Sequence, residues 1–232
     1  MHTARPGTSA VPAAAAWTAV AGCAAVVAGL AWAVAAGWAP VLAADRAVSD
    51  ALYAGDDRSR LVEAVLQVLT APGLSAVRLV VFAPVLAWLV LRRAWWTAGF
   101  VLVSTALVGP LTTVLKEAVG RPRPQFAGGG ATWASLSHPS GHASGIAALV
   151  TVALLLAWPR LAPTGRRGWL AAGVVLAVLV GLTRLWLGVH FPSDVLAGWA
   201  LGAGWTLLVA LALGALPGGR AALPPRTGTM GP

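Results

Sequence analysis

Long apolar segments recur along the chain and are separated by short polar connections. Six of these segments can be counted in the sequence, and each is about 20 residues long, the length of helix that crosses the hydrocarbon core of a bilayer. The composition agrees, because 58% of the residues are hydrophobic and only 10% are charged. The mean hydropathy is +0.79. These values exclude an ordinary soluble domain and predict an all-α, polytopic membrane protein.

We predict one domain over residues 12–216, built as a bundle of six transmembrane helices. The predicted spans cover residues 12–36, 74–91, 95–115, 143–158, 169–189 and 193–216. The first span resembles a signal peptide, but its apolar run is long and further spans follow, so we interpret it as a retained helix. Residues 1–11 are predicted to be an N-terminal tail. Residues 217–232 are rich in proline, glycine and arginine, and they are predicted to be a disordered tail.

Two connections between the spans are long enough to carry structure or function. Residues 45–73 form the most acidic part of the chain, and within them residues 60–73 show apolar positions at helical spacing. This pattern predicts a short helix that either lies at the membrane surface or packs on the bundle. Residues 116–142 form a second connection, which is rich in glycine, proline and polar residues.

The charged residues give the bundle an orientation in the membrane. On one side of a six-span count lie Arg5, Arg92, Arg93, Arg160, Arg166, Arg167, Arg220 and Arg226. On the other side lie Asp45, Asp50, Asp56, Asp57 and Glu63. Because arginine and lysine are enriched in cytoplasmic loops, both termini are predicted to be cytoplasmic and residues 45–73 extracytoplasmic. The same topology explains the net charge of +9 without a nucleic-acid partner. We therefore expect a multi-pass protein of the cell membrane.

Polar residues gather at a subset of the span ends. They are Lys116, Arg123, Ser140, Gly141, His142, Arg184, His190 and Asp194. In any six-span alternation these ends share one membrane face, and the charge rule makes it the extracytoplasmic face. Since polar side chains beside hydrocarbon are costly, their concentration on one face predicts an outward-facing active site.

The chemistry of this set points to an anion. Lys116, Arg123 and Arg184 are three cations without a matching acidic cluster, and Lys116 is the only lysine in the chain. A glycine-flanked helix start at His142 adds free N–H groups, so the pocket suits a phosphate. Two histidines and an aspartate can supply a nucleophile, an acid and an orienting carboxylate. No Cys/His spacing or carboxylate cluster indicates a metal, and we expect no cofactor.

Three sequence motifs follow one another between Lys116 and Asp194. They are Lys-x6-Arg-Pro from Lys116, Pro-Ser-Gly-His ending at His142, and Arg-x5-His-x3-Asp ending at Asp194. This pattern resembles the signature of the type 2 phosphatidic acid phosphatase superfamily, which is related to the vanadium haloperoxidases. One departure is Thr183, where the family usually has serine before the arginine. Threonine keeps the hydroxyl, and we expect it to support Arg184.

The resemblance implies a metal-independent membrane enzyme that hydrolyses phosphomonoester or diphosphate groups of lipids. Polyprenyl diphosphate, phosphatidic acid and phosphatidylglycerol phosphate are the substrates it suggests. It implies that His190 attacks phosphorus to form a phosphohistidine, that Asp194 orients His190, and that His142 protonates the leaving oxygen. The residues implied to bind phosphate are Lys116, Arg123, Ser140, Gly141 and Arg184.

Two other functions stay open at this point. One is a vanadate-dependent haloperoxidase-like oxidoreductase, and the other is a non-catalytic lipid-phosphate transporter or scaffold, which would not need both histidines.

Two polar residues lie outside the motif positions. Arg121 is expected either to contact phosphate or to be solvated. His138 is expected to cap the turn before Pro139 rather than to tune the site.

Overall fold

The structure, a computed structural model, describes residues 13–126 and 135–224. In these parts of the chain there are eight α-helices and two short 3-10 turns, and no β-strand. The helices are α1 (Ala13–Ala35), α2 (Ala39–Leu52), α3 (Arg60–Thr70), α4 (Ser75–Leu91), α5 (Trp95–Val119), α6 (Gly141–Ala157), α7 (Pro163–Trp186) and α8 (Pro192–Leu213). The predicted all-α fold is confirmed.

Among the helices that the structure describes, five are long and apolar enough to cross a membrane: α1, α5, α6 with the 3-10 turn that follows it, α7 and α8. A sixth span is obtained only if α3 and α4 are counted together, and this pair is bent by 49° at its break. By itself α4 has 17 residues, which is short for a bilayer that needs about 20. The predicted six spans therefore depend on how this bent pair sits in the membrane.

The helix ends around the polar residues of the three motifs differ from the predicted span ends. Helix α5 continues past residue 115 to Val119, so Lys116 lies in its last turn rather than after it. Gly120 ends this helix in a left-handed conformation at φ 67°, which a glycine adopts without strain. Helix α7 begins at Pro163, because the basic connection before residue 169 is itself helical.

The acidic connection is largely helical. Its first residues lie inside α2, a helix that was not predicted because acidic residues at this point favour a loop. Helix α3 was predicted, and it begins at Ser59, whose hydroxyl accepts a hydrogen bond from the Val62 N–H. Leu66 of α3 is buried against the end of α7, whereas Leu61 and Val68 are 74% and 72% exposed. The helix thus packs on the bundle with one face and leaves apolar side chains outside.

Helix α8 is the central element and contacts α1, α5 and α6. Its contact with α6 is close because α8 has glycine at positions 198 and 202. A Cβ atom added at Gly198 would lie 2.6 Å from the Ser140 carbonyl oxygen and 2.8 Å from the Ala143 Cβ. Small residues at such positions allow two membrane helices to approach closely. The N-termini of α6 and α8 therefore lie side by side.

The segment after α8 differs from the sequence-based prediction. Disorder was predicted from residue 217, but residues 217–224 fold back on the bundle. Ala221 and Leu223 are buried, and the Thr97 hydroxyl donates a hydrogen bond to the Ala221 carbonyl at 2.8 Å. The prediction is wrong for this part because the segment contains enough apolar side chains to cover the start of α5. Residues 225–232, like the tail over 1–11, lie outside the described residues.

Candidate active site

Four helix ends meet at one end of the bundle: the C-termini of α5 and α7 and the N-termini of α6 and α8. The turn between α7 and α8 brings His190 into this group, because α7 ends at Trp186 and Pro192 begins α8. Gly188 in this turn has φ 66°, and a side chain there would collide with the rings of Tyr53 and Phe126. The short connection that the predicted spans over residues 169–189 and 193–216 leave at this point is confirmed.

His190 and Asp194 form a buried pair. His190 is 2% exposed, and its Nδ1 lies 3.4 Å from Oδ2 of Asp194. A carboxylate only accepts hydrogens, so Nδ1 carries the proton and Nε2 keeps its lone pair. Nε2 lies 3.3 Å from Nη1 of Arg123. The unprotonated nitrogen therefore points to the side of the site where the cations lie.

His190 is held in the form that a nucleophile requires. Burial lowers the pKa of His190 to about 3, and the nearby charges of Arg184 and Arg123 add to this effect. The hydrogen bond and the charge of Asp194 act in the opposite direction, but they do not overcome the cost of placing a cation in a dry site. The imidazole is therefore neutral near pH 7.

The Asp194 carboxylate is fully buried, and each of its oxygens accepts two hydrogen bonds. Oδ1 accepts from Arg121 Nη1 at 2.8 Å and from His138 Nδ1 at 3.1 Å. Oδ2 accepts from the Phe191 N–H at 2.9 Å and from His190. Two predictions are therefore wrong, solvation for Arg121 and a turn cap for His138, because both residues bind the carboxylate that holds His190. Neither solvation nor a turn cap describes them, since Arg121 is 7% and His138 1% exposed.

A second carboxylate lies behind the first. Asp45 of α2 accepts a hydrogen bond from Arg121 Nη2 at 2.7 Å. It also accepts from the Ser193 N–H at 2.9 Å and from the Ser193 hydroxyl at 2.6 Å. Asp45 and Ser193 were not among the predicted site residues. Asp45 was counted with the extracytoplasmic acids, and nothing in its local sequence distinguishes it from Asp50.

Lys116 and Arg123 are held by carbonyl groups of the loop that precedes α6 and of the turn before α8. Lys116 Nζ donates to the carbonyl oxygens of Leu136 and Ser137, the latter at 3.2 Å. Arg123 donates to the carbonyl oxygens of Ser135 at 2.8 Å and Val189 at 2.6 Å. These bonds fix both cations beside His190 without neutralising their charge.

Arg184 reaches the site from the last turn of α7. It is 7% exposed, and its Nη1 donates to the Thr70 hydroxyl at 3.0 Å. Its Nε has no hydrogen-bond acceptor among the described residues. The prediction that Thr183 supports Arg184 is wrong, because the Thr183 hydroxyl donates to the Val180 carbonyl at 2.6 Å. The last residue of α3 holds this arginine instead.

The start of α6 carries the remaining predicted residues. Ser140 is its N-cap, and the Ser140 hydroxyl accepts from the Ala143 N–H at 3.4 Å, while its own N–H donates to the Asp194 carbonyl oxygen at 2.9 Å. Gly141 and His142 open the helix.

A cavity of about 690 Å³ adjoins this helix start. Lys116, Gly141 and His142 line one part of it, and apolar residues such as Leu74 and Val114 line another. Within residues 13–126 and 135–224, no group of three or more His, Cys, Asp or Glu side chains is arranged to hold a metal ion. The eight predicted site residues thus lie on the helix ends and loops that meet here, around cations and a helix N-terminus.

Comparison with known proteins identifies the family. Residues 95–216 match the PAP2 superfamily. The chain belongs to the PAP2 superfamily. Phosphatidylglycerophosphatase B of Bacillus subtilis is 34% identical to this PAP2 protein over 163 residues, which cover 69% of this chain and 78% of that protein. Lipid A 1-phosphatase of Rhizobium johnstonii is 34% identical over 125 residues, which cover 50% of this chain and 48% of that one.

A solved structure agrees with the sequence relatives. The crystal structure of a transmembrane PAP2-type phosphatidylglycerolphosphate phosphatase from Bacillus subtilis superposes on this PAP2 protein with a TM-score of 0.68 and 31% identity. The superposition covers 82% of this chain and 93% of that one. The PAP2 chain spans about half the length of the lipid A 1-phosphatase that it matches. With its five long apolar helices, it is a multi-pass membrane protein.

Proposed function

We propose that this PAP2 protein is a phosphatase that hydrolyses phosphomonoester or diphosphate groups of lipids. One observation carries the proposal. The Nδ1 of His190 is bonded to a buried carboxylate, and its Nε2 faces Arg123 at 3.3 Å. A neutral imidazole in this orientation has its lone pair directed to the position that an oxyanion would occupy beside the cations.

The first step of the proposed reaction transfers the phosphoryl group to the enzyme. Nε2 of His190 attacks phosphorus, the bond between phosphorus and the leaving oxygen breaks, and His142 gives its proton to that oxygen. Asp194 stabilises the positive charge that develops on the His190 ring. In the second step water attacks phosphorus, His142 takes a proton from that water, and the phosphorus–nitrogen bond breaks to release phosphate.

The cations and the helix start supply the charge stabilisation that this reaction needs. Arg123 contacts Nε2 of His190, and Lys116, Arg184 and the N-terminus of α6 lie at the same end of the bundle. Hydrogen-bond donors that are already in place stabilise developing negative charge without having to reorganise. The helix N-terminus adds its partial positive charge. Ser140 serves by setting where this helix begins.

The cavity beside His142 supports a lipid as substrate. It combines charged residues with apolar ones, Leu74 just before α4 and Val114 of α5, so a phosphate head group and the first part of an apolar chain fit its lining. We infer that the substrate enters laterally from the outer leaflet of the cell membrane, with both termini of the chain in the cytoplasm. Polyprenyl diphosphate, phosphatidic acid and phosphatidylglycerol phosphate are the candidate substrates.

Phosphate release from these three lipids by the purified protein in detergent tests the function. We expect release from at least one lipid, no effect of EDTA, and loss of release in His190→Ala. Release that persists in His190→Ala would contradict the mechanism. Vanadate distinguishes the haloperoxidase alternative, since it should inhibit a phosphatase and activate a peroxidase.

A further inference from the structure

We propose that Asp45 and Arg121 are positioning residues that set the orientation and the charge of the Asp194–His190 pair. The proposal rests on the phosphatase function above, in which His190 is the nucleophile. It is drawn from the hydrogen bonds, the burial and the charges of four residues from three parts of the chain. We call Asp45 and Arg121 together the buffer pair.

The contacts of Arg121 separate it from the phosphate-binding cations. Its Nη1 donates to the Asp194 carboxylate and to the Ser193 hydroxyl, both at 2.8 Å, and its Nη2 donates to Asp45. The guanidinium carbon lies 3.9 Å from the centre of the Phe191 ring. Two carboxylates and one hydroxyl thus accept hydrogen bonds from this guanidinium, and an aromatic ring covers one of its faces. Arg121 acts on the reaction through Asp194.

Asp45 fixes the helix that carries Asp194. The first N–H groups of a helix have no partner within the helix. In α8 one of them, the Ser193 N–H, donates to Asp45 Oδ1 at 2.9 Å, and the Ser193 hydroxyl donates to Oδ2. Asp45 therefore caps α8 from outside and ties α2 to the active site. It lies outside residues 95–216, the part of the chain that matches the superfamily.

The charges of Asp45, Arg121 and Asp194 give the buffer pair a second role. Two carboxylates share one guanidinium, so the cluster carries a net charge of −1 when all three groups are ionised, and its members are 0% to 7% exposed. Arg121 alone would neutralise Asp194. Because Asp45 shares the guanidinium, Asp194 keeps negative charge for the His190 ring, which becomes positive during phosphoryl transfer.

This arrangement makes opposite predictions for the two members. Removing the charge of Asp45 should lower the pKa of His190, since less negative charge remains to stabilise the protonated ring. Removing the charge of Arg121 should raise the pKa of His190. Neither substitution removes any of the other titratable or charged groups around Asp194 and His190, which are His138, His142, Lys116, Arg123 and Arg184.

The test compares Asp45→Asn, Arg121→Gln and the exposed control Asp50→Asn on the same helix. The readouts are kcat and KM for dioctanoyl phosphatidic acid and the ring titration of His190 by NMR. We expect kcat per folded enzyme to fall by about tenfold to a hundredfold in both variants, the size of the loss when a residue that orients a metal-binding histidine is removed. KM should stay within about twofold. The pKa of His190 should move in opposite directions, and Asp50→Asn should behave as wild type.

Other outcomes overturn the proposal. It fails if Asp45→Asn keeps the kcat of Asp50→Asn, or if the pKa of His190 moves in the same direction in both variants. If Arg121→Gln does not fold, Arg121→Lys replaces it in the test, because lysine keeps the buried charge. A wild-type kcat in Arg121→Lys then overturns the proposal. A lowered kcat with a wild-type pKa of His190 supports it. If wild type releases no phosphate from any lipid, the phosphatase function fails, and the NMR titration still decides the role of the pair.

Discussion

Asp194 and His190 lie on either side of Phe191, the N-cap of α8, and Oδ2 of Asp194 binds both the His190 ring and the Phe191 N–H. One oxygen therefore caps the helix and orients the imidazole. Such a cap fixes the first turn of a helix, so it also fixes the direction of the carboxylate. His190 is aligned by the same interaction that begins the helix.

Asp194→Asn should therefore abolish most of the activity. An amide can present its N–H₂ group to Nδ1 of His190, which favours the wrong tautomer and moves the proton to Nε2. In a Ser-His-Asp site the corresponding change lowers kcat by about 10⁴, and we expect a loss of about 10³ to 10⁴ here. Phosphate release at saturating substrate measures it. Asp57→Asn, an exposed change outside the site, is the control, and a loss below tenfold in Asp194→Asn would contradict this role.

The low pKa of His190 predicts how stability depends on pH. In the unfolded chain a histidine has a pKa of about 6.5, whereas burial lowers the pKa of His190 to about 3 in the folded protein. Between these values the unfolded state binds the proton, so stability is lost as the pH falls from about 6.5 towards 3, by up to about 1.4 kcal/mol for each pH unit.

Thermal unfolding in detergent between pH 7.5 and 4.5 tests this dependence. We expect the Tm of wild type to fall more steeply with acid than that of His190→Gln, which has no proton to bind at this position. Equal slopes for the two proteins would show that His190 does not carry the effect.

Thr70→Val should weaken catalysis through Arg184. The threonine hydroxyl accepts a hydrogen bond from Arg184 Nη1 at 3.0 Å, and valine keeps the shape but removes the acceptor. A hydrogen bond to a charged group contributes about 1.5 to 3 kcal/mol, so we expect kcat/KM to fall by about tenfold or more. Thr18→Val on the exposed surface of α1 is the matched control. An unchanged kcat/KM in Thr70→Val would mean that Arg184 is held by other contacts.

Gly73→Ala should separate the 3-10 turn before α4 from the start of α6. A Cβ atom at Gly73 would lie 2.9 Å from the Cβ of His142 and 3.0 Å from its Cα. Since both are firmly placed atoms, we expect a destabilisation of about 1 to 3 kcal/mol and a loss of activity.

The control for this change is Gly22→Ala in α1, where an added Cβ meets nothing within 4 Å. Replacing this helical glycine should raise stability by about 0.5 to 1 kcal/mol. Thermal unfolding and phosphate release measure both variants. If Gly73→Ala behaves like Gly22→Ala, the contact with His142 is looser than the structure shows.

Much of the fold could be predicted from the sequence because apolar length and a few breakers determine it. The apolar runs over residues 169–189 and 193–216 predicted a short connection between α7 and α8, and the polar residues at span ends predicted that they gather at one end of the bundle. The contacts of Asp45 and Arg121 could not be predicted. Their partners are 148 and 73 residues away, and a charged residue near a membrane surface has the same local pattern whether it is solvated or buried. The packed segment after residue 216 was missed because composition alone does not show which surface a few apolar side chains can cover.

The close contact between α6 and α8 has a consequence for the two histidines of the site. His142 belongs to α6, and the His190–Asp194 pair belongs to the start of α8. Glycines 198 and 202 let the backbones of these helices touch, which leaves little room for one to slide past the other. The spacing of the two histidines is therefore set by the packing of these two helices.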